Sequence, residues 1–270
     1  MPEPIVAFIG GGNMAAAIVG GLVGAGRDPA SMLVVEPSGE QRARLSGLHR
    51  VSVFDTADAR LAAAGIVVWA VKPQTFCDAA RPAAPHVGSA LHVSVMAGIR
   101  SDAIARAVAT ERIVRAMPNT PALIGRGIAG LYARDAVSAS DRRHAEQVLA
   151  STGALLWLER EADLDAVTAL SGSGPAYVFY LVEAMVQAAR EMGLPAEHGK
   201  ALALATFAGA AELAARSSDA PEVLRERVTS KGGTTAAALA SLDADRVKAA
   251  FVKALHAARE RARELGDEFG

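Results

Sequence analysis

The first 160 residues of the chain alternate short apolar runs with stretches that suit helices. Apolar runs with few charges are typical of strands that are buried on both faces of a parallel sheet. Such runs predict strands at 5–9, 32–36, 65–71, 91–95, 113–117, 127–132 and 154–158. Between them the pattern predicts helices at 16–23 and 141–150, and it indicates loop and helix over 52–64. This alternation predicts an α/β domain built on an open sheet.

From Glu161 onward the pattern changes. Strand signals disappear, and Ala, Leu, Glu and Arg recur at intervals of three and four residues, which is typical of helices. The predicted helices span 163–170, 177–192, 196–216, 221–228, 234–242 and 245–265. We therefore expect two domains, an α/β domain over 1–160 and an all-α domain over 161–270.

A glycine-rich turn follows the first predicted strand directly. Its sequence has the form G-x-G-x-x-A and precedes a predicted helix, which is the context of a dinucleotide-binding turn. Gly10 permits the tight turn, Gly12 lets backbone amides approach a pyrophosphate, and Ala15 keeps the helix close to the sheet. The alternative is a glycine turn that binds nothing. The predicted cofactor contacts here are Ile9, Gly10, Gly11, Gly12, Asn13 and Met14.

The residues after the second strand bear on the choice of cofactor. Glu36 lies where an acidic residue can accept hydrogen bonds from the adenosine ribose, and its carboxylate would repel the 2′-phosphate of NADPH. Ser38 and Arg42 follow closely and could hold that phosphate if Glu36 turns away. The alternative role of Glu36 is that of an ordinary acid at a strand end. The preference between NADH and NADPH stays open.

Three further segments follow predicted strands. Residues at the carboxyl ends of strands line the ligand crevice of an open α/β sheet. The segments comprise Ala70, Val71, Lys72 and Pro73, then Val95, Met96 and Ala97, and finally Asn119 and Thr120 between two prolines. The last pair could face a bound nicotinamide, or the segment could be a plain structural turn.

Two glycine motifs interrupt the helical half. Residues 171–175 form a predicted turn that opens a helix, and residues 230–235 form a second one. Free amides and hydroxyls at a helix start can bind a carboxylate. Either motif alone is accounted for by helix capping, but two of them beside a dinucleotide-binding domain favour a substrate pocket.

Composition narrows the class of protein. The net charge is −1, which gives no reason to expect nucleic acid or an anionic membrane as partner. The single cysteine, Cys77, excludes an internal disulfide and suits a reducing compartment. No signal-peptide pattern, membrane-spanning run or metal-ligand spacing is present in the sequence. We expect a soluble cytoplasmic protein without a metal site.

The motifs together resemble those of the pyrroline-5-carboxylate reductases. The segments that carry the resemblance are I-G-G-G-N-M at 9–14, A-V-K-P at 70–73, R-A-M-P-N-T-P at 115–121, S-G-S-G-P-A-Y at 171–177 and S-K-G-G-T-T at 230–235. The resemblance spans nearly the whole chain. It implies an N-terminal Rossmann domain, a C-terminal helical dimerisation domain, and reduction of 1-pyrroline-5-carboxylate to L-proline by NADPH or NADH. It also implies a homo-oligomer, either a dimer or a pentamer of dimers.

The resemblance also implies roles for individual residues. The cofactor contacts fall on the glycine turn, on 70–73 and on 95–97, and the position of Glu161 lies near the imino acid. The residues implied to hold the substrate carboxylate are Ser230, Gly233, Thr234 and Thr235. Thr235 is the expected catalytic residue, donating a hydrogen bond near the ring nitrogen or carboxylate. The family usually has proline where this chain has Lys231, so the rigidity of that loop differs.

Two other functions fit parts of the pattern. A reductase of the β-hydroxyacid dehydrogenase type would need a lysine in the helical half as acid, and only Lys231 lies in a suitable loop. A non-catalytic dinucleotide sensor would bind NAD(P)H but would need no carboxylate site.

Overall fold

The computed structural model describes residues 3–269, and its eight strands form one sheet. The strands are β1 Ile5–Ile9, β2 Met32–Val35, β3 Ser52–Phe54, β4 Ala64–Trp69, β5 Leu91–Ser94, β6 Ile113–Met117, β7 Gly127–Ala133 and β8 Gly153–Trp157. Their order in the sheet is β3-β2-β1-β4-β5-β6-β7-β8. Strands β1 to β6 are parallel, β7 is antiparallel to β6, and β8 is parallel to β7. The predicted α/β class is confirmed.

Strand β1 lies between β2 and β4 and is buried on both faces. Val6 and Phe8 belong to one hydrophobic cluster, whereas Ala7 and Ile9 belong to a second cluster on the other face. All four are at most 2% exposed. Because both faces are covered, the strand needs apolar residues at every position, which explains its unbroken apolar run.

Eleven α-helices accompany the sheet within residues 3–269. Those that belong to the α/β part are α1 Asn13–Gly24, α2 Gly39–His49, α3 Phe76–Val87, α4 Ser101–Val108, α5 Ala139–Leu149 and α6 Asp163–Val167. The later ones are α7 Gly174–Glu191, α8 Ala196–Arg216, α9 Pro221–Arg227, α10 Thr234–Ala244 and α11 Val247–Phe269. None of these helices combines the length and apolar character that a membrane crossing requires.

The chain divides into two compact units. The first unit runs to Gly174 and also includes α11 from Ala258 onward, and the second unit is Pro175–Ala257. The last turns of α11 therefore pack with the sheet, where Phe269 contacts the cluster that contains Trp69 and Phe76. The domain boundary at 160/161 was placed where the sequence pattern changes, and it stays a prediction.

Two local predictions from the sequence were wrong. The segment 52–64 contains strand β3, which pairs with the edge of β2, although only three residues are extended. The motif at 171–175 is no turn, because a π-helical segment, Thr168–Gly172, connects α6 to α7. The amide of Ser173 donates to the carbonyl of Thr168 at 2.8 Å, five residues back. Such π-helical insertions within α-helices are frequent at functional sites.

One buried histidine lies beneath the end of β4. The Nε1–H of Trp69 donates to Nδ1 of His92 at 2.9 Å, so Nε2 of His92 carries the proton and donates to the carbonyl of Val87 at 3.1 Å. Burial lowers the pKa of His92 to about 4 from its ordinary value of 6.5. His92 is thus neutral in the folded protein.

This burial predicts a pH dependence of stability. The unfolded chain binds a proton at His92 below pH 6.5, whereas the folded chain does so only near pH 4. The stabilisation is therefore complete above pH 6.5 and is lost as the pH falls, by about 1.4 kcal/mol per pH unit within that window. Denaturant titrations at several pH values should give a flatter dependence for His92→Gln than for the wild type. Parallel curves would contradict this prediction.

Candidate functional site

The glycine turn after β1 has the backbone shape that its sequence requires. Gly10 has φ +99°, and a Cβ there would lie 2.7 Å from the carbonyl oxygen of Ala70 and 2.9 Å from Cγ1 of Val71. A Cβ on Gly12, by contrast, would meet nothing within 4 Å. Gly12 is the N-cap of α1 and has no side chain to satisfy the first amides of that helix. The turn thus presents free amides to open space, as a pyrophosphate site requires.

The other predicted cofactor segments lie beside this turn. The amide of Ala70 donates to Ile9 at 2.8 Å, and that of Val95 donates to the carbonyl of Trp69 at 3.0 Å. The ends of β1, β4 and β5 are therefore adjacent, and they bring 9–14, 70–73 and 95–97 together. The side chain of Met96 is buried, with the residue 2% exposed, so only its backbone is available to a ligand.

A cleft of about 340 Å³ opens at the same edge of the sheet. Gly10 and Val71 line it, as the sequence suggested. Its polar lining also includes four residues that sequence reasoning missed, namely Asp55, Thr56, Thr75 and Asp78. Asp55 and Thr56 directly follow β3, so recognition of that short strand would have identified them by their place at its carboxyl end.

Glu36 is held by two backbone amides. Its Oε2 accepts from Gly11 and its Oε1 accepts from Ser38, each at 2.8 Å. Arg42 donates from Nη1 to the carbonyls of Glu36 and Pro37, also at 2.8 Å each. Ser38 caps α2 by accepting from the amide of Gln41. The three groups that the sequence assigned to cofactor choice therefore lie together and are tied to the backbone.

Asn119 is fixed by its carbonyl end. Its Oδ1 accepts from the amide of Ile128 at 3.0 Å. Because a backbone amide can only donate, this bond assigns the side-chain oxygen, and the Nδ2 group points the other way. Asn119 is half-buried, so it can meet a ligand only as a hydrogen-bond donor.

Glu161 closes the N-terminus of α4 in the first unit. Its two oxygens accept from the amide and the hydroxyl of Ser101, each at 2.6 Å, and Arg115 donates to Oε1 at 2.8 Å. Burial raises the pKa of Glu161, but these hydrogen bonds and the ion pair outweigh it, so the pKa lies below its ordinary value. Both oxygens are engaged by this chain, and the substrate contact expected of Glu161 stays a prediction.

A second ion pair joins the same region. Arg100 makes a bidentate contact with Asp165, at 3.0 and 2.8 Å. Its guanidinium lies against Gly266 of α11, where a Cβ would come within 2.5 Å of Cζ. Leu265 likewise packs on Gly98, which has φ +73°. The end of α11 thus covers the loop that follows the predicted cofactor segment 95–97.

The second glycine turn lies in the second unit. Gly232 has φ +73°, and Gly233 is the N-cap of α10, with no side-chain cap for the first amides. A Cβ on Gly233 would lie 2.6 Å from Oγ of Ser230. Within the described residues, the hydroxyls of Ser230, Thr234 and Thr235 make no hydrogen bond, and Lys231 is exposed. The turn therefore gathers unused donors, which suit a carboxylate.

Metal chemistry has no support in this fold. Residues 3–269 contain no group of three or more His, Cys, Asp or Glu side chains placed to hold a metal ion.

Comparison with known proteins agrees with both units. A family model described as "Pyrroline-5-carboxylate reductase dimerisation" matches residues 161–265, and one described as "NADP oxidoreductase coenzyme F420-dependent" matches residues 5–98. The pyrroline-5-carboxylate reductase of Pseudomonas aeruginosa is 43% identical, with both chains covered completely. That of Haemophilus influenzae is 38% identical, with 98% of each chain covered.

Solved structures agree as well. A pyrroline-5-carboxylate reductase from Coxiella burnetii has a TM-score of 0.89 at 35% identity, covering 98% of this chain and 99% of that one. The Plasmodium falciparum pyrroline carboxylate reductase, solved with NADP bound, has a TM-score of 0.87 at 28% identity and the same coverage. The agreement extends over the α/β half, the helical half and the motifs of both, and the chain belongs to the pyrroline-5-carboxylate reductase family.

Proposed function

We propose that this chain reduces 1-pyrroline-5-carboxylate to L-proline with NADPH or NADH, the last step of proline biosynthesis. Its relatives bear the name of that activity over the full length of the chain. The observation that carries the proposal is the second glycine turn, whose free amides and hydroxyls suit the substrate carboxylate. A dinucleotide sensor would have no use for this group of donors.

The cofactor fits the turn after β1. The open space before Gly12 and the uncapped start of α1 suit a pyrophosphate. When bound, NAD(P)H supplies the hydride that reduces the C=N bond of the substrate at C5, and the ring nitrogen takes its proton from solvent. Residues 9–14, 70–73 and 95–97 hold the cofactor in this proposal, and Asn119 donates to its nicotinamide end.

The substrate is held by charge and hydrogen bonds. Ser230, Gly233, Thr234 and Thr235 receive its carboxylate, with Lys231 as a nearby cation. Thr235 also orients the ring through its hydroxyl. A threonine hydroxyl is too weak an acid to act as an obligatory proton donor, so its contribution is alignment of C5 with the hydride donor.

Thr235→Ala provides the test. Loss of one hydrogen bond to a charged group costs about 1.5–3 kcal/mol, so kcat/KM for pyrroline-5-carboxylate should fall roughly ten- to a hundredfold. The dissociation constants for NADH and NADPH should not change. Thr235→Ser, which keeps the hydroxyl, should retain most activity. Equal activity of the alanine variant and the wild type would remove Thr235 from the site.

The assembly is a homo-oligomer, as the match to the dimerisation model supports. We extend this to a dimer or a pentamer of dimers in the cytoplasm, with 161–270 as the dimerisation region. The second unit exposes many large apolar side chains, among them Phe179, Tyr180 and Leu202, which suit burial against a second copy.

A further inference from the structure

Glu36 connects two turns of the cofactor edge through a single carboxylate. One oxygen accepts from the amide of Gly11 in the turn after β1, and the other accepts from the amide of Ser38 in the turn after β2. We propose that Glu36 is a positioning residue, which orients the pyrophosphate-binding turn, and that it does not select between NADH and NADPH. This inference rests on the proposed use of these cofactors.

The contacts around Gly11 leave that turn little freedom. The preceding amide, that of Gly10, donates to the carbonyl of Val35 at 2.8 Å. A Cβ on Gly11 would lie 2.7 Å from Cδ1 of Leu45 and 3.0 Å from Cβ of Glu36. Two successive amides are therefore bonded to the end of β2, and the side chain of Glu36 packs against the turn it holds. Since Gly12 follows directly, the direction of its free amide depends on this anchor.

Glu36 is itself held from the other side. Arg42 donates to the carbonyls of Glu36 and Pro37, and the amide of Ser38 occupies the second carboxylate oxygen. A side chain fixed at its backbone and at both oxygens is suited to transmit a geometry, because it has few alternative conformations. Its charge strengthens both bonds, since a carboxylate accepts more strongly than a neutral oxygen.

The cleft supports the same assignment. Pro37 lines the cleft beside Gly10, but Glu36 does not. The carboxylates on its lining belong to Asp55 and Asp78. An adenosine group in this cleft would thus face those two residues, whereas Glu36 faces the backbone of the glycine turn.

The test measures nucleotide binding directly, without substrate. Glu36→Gln keeps one oxygen acceptor and loses the other together with the charge, and Glu36→Ser loses both contacts. Dissociation constants for NADH and NADPH should rise in both variants, about tenfold for the serine variant, with the ratio of the two constants unchanged. Glu40→Gln is the matched control, since Glu40 is an exposed acid in the first turn of α2 and should show no effect.

A second readout separates positioning from ribose binding. Displacement of NADH by ADP should weaken in the Glu36 variants, whereas displacement by adenosine, which lacks phosphate, should not change. Tighter NADPH binding with weaker NADH binding, or weaker adenosine binding, would overturn the inference in favour of ribose recognition. Unchanged binding of both nucleotides would overturn it as well. The proposed function is tested separately by wild-type turnover of pyrroline-5-carboxylate, which does not depend on these variants.

Discussion

Replacing Gly12 with valine is expected to abolish NAD(P)H binding while the protein stays folded. The backbone of Gly12 has φ −67°, which valine adopts readily, and no atom within 4 Å would clash with the new Cβ. The branched side chain would instead fill the space before the first amides of α1. A pyrophosphate could no longer approach, so affinity should fall at least about a hundredfold, equivalent to about 2.7 kcal/mol. Fluorescence titration with NADH and a thermal unfolding scan measure the two effects.

Two other glycines provide controls for Gly12→Val. Gly47→Val makes the same change on α2, where a Cβ also meets nothing within 4 Å, and it should leave NADH affinity unaltered. Gly10→Ala should lower the stability itself, because its φ of +99° and the nearby carbonyl of Ala70 exclude a Cβ. If Gly12→Val bound NADH normally, the turn would have only a structural role.

Glu161→Ala is expected to cause the largest loss of stability. The side chain of Arg115 is only 5% exposed, and it would keep its charge without a carboxylate partner. Removal of one member of a buried ion pair costs about 3–5 kcal/mol. The start of α4 would also lose the acceptor for the amide and hydroxyl of Ser101. Urea unfolding should show this loss as a lower midpoint.

The exposed pair Arg160–Asp163 provides the control. Its side chains are 77% and 34% exposed, and exposed pairs contribute about 0–1 kcal/mol, so Asp163→Ala should have a small effect. The double variant Glu161→Ala, Arg115→Met should recover much of the stability, since it leaves no unpaired charge buried. Equal stability of Glu161→Ala and the wild type would show that solvent reaches Arg115.

The α/β class and the glycine turn could be predicted because each depends on local sequence. A strand buried on both faces must be apolar throughout, as in 5–9, and the turn needs glycine at Gly10 for its positive φ. The helices of the second half were likewise visible from their periodicity. The cofactor segments followed from their position after the strands, so the sequence placed them on one edge of the sheet.

Other features depend on partners that are distant in sequence. Strand β3 has three residues and pairs only along β2, so no local pattern distinguishes it from a loop. The partner of Arg115 lies 46 residues away at Glu161, and Glu36 contacts an amide 25 residues earlier. The π-helical segment before α7 depends on a backbone bond from Ser173 to Thr168, whereas its glycines suggested a turn.

The return of α11 to the sheet has a consequence for biosynthesis. Phe269, Leu265 and Gly266 complete the first unit, yet the ribosome adds them only after the whole of Pro175–Ala257. N-terminal units generally fold first during synthesis, but here the core around Trp69 and Phe76 lacks one of its side chains until the helical unit has been translated. The nascent sheet therefore waits, partly uncovered, for a segment encoded near the far end of the message.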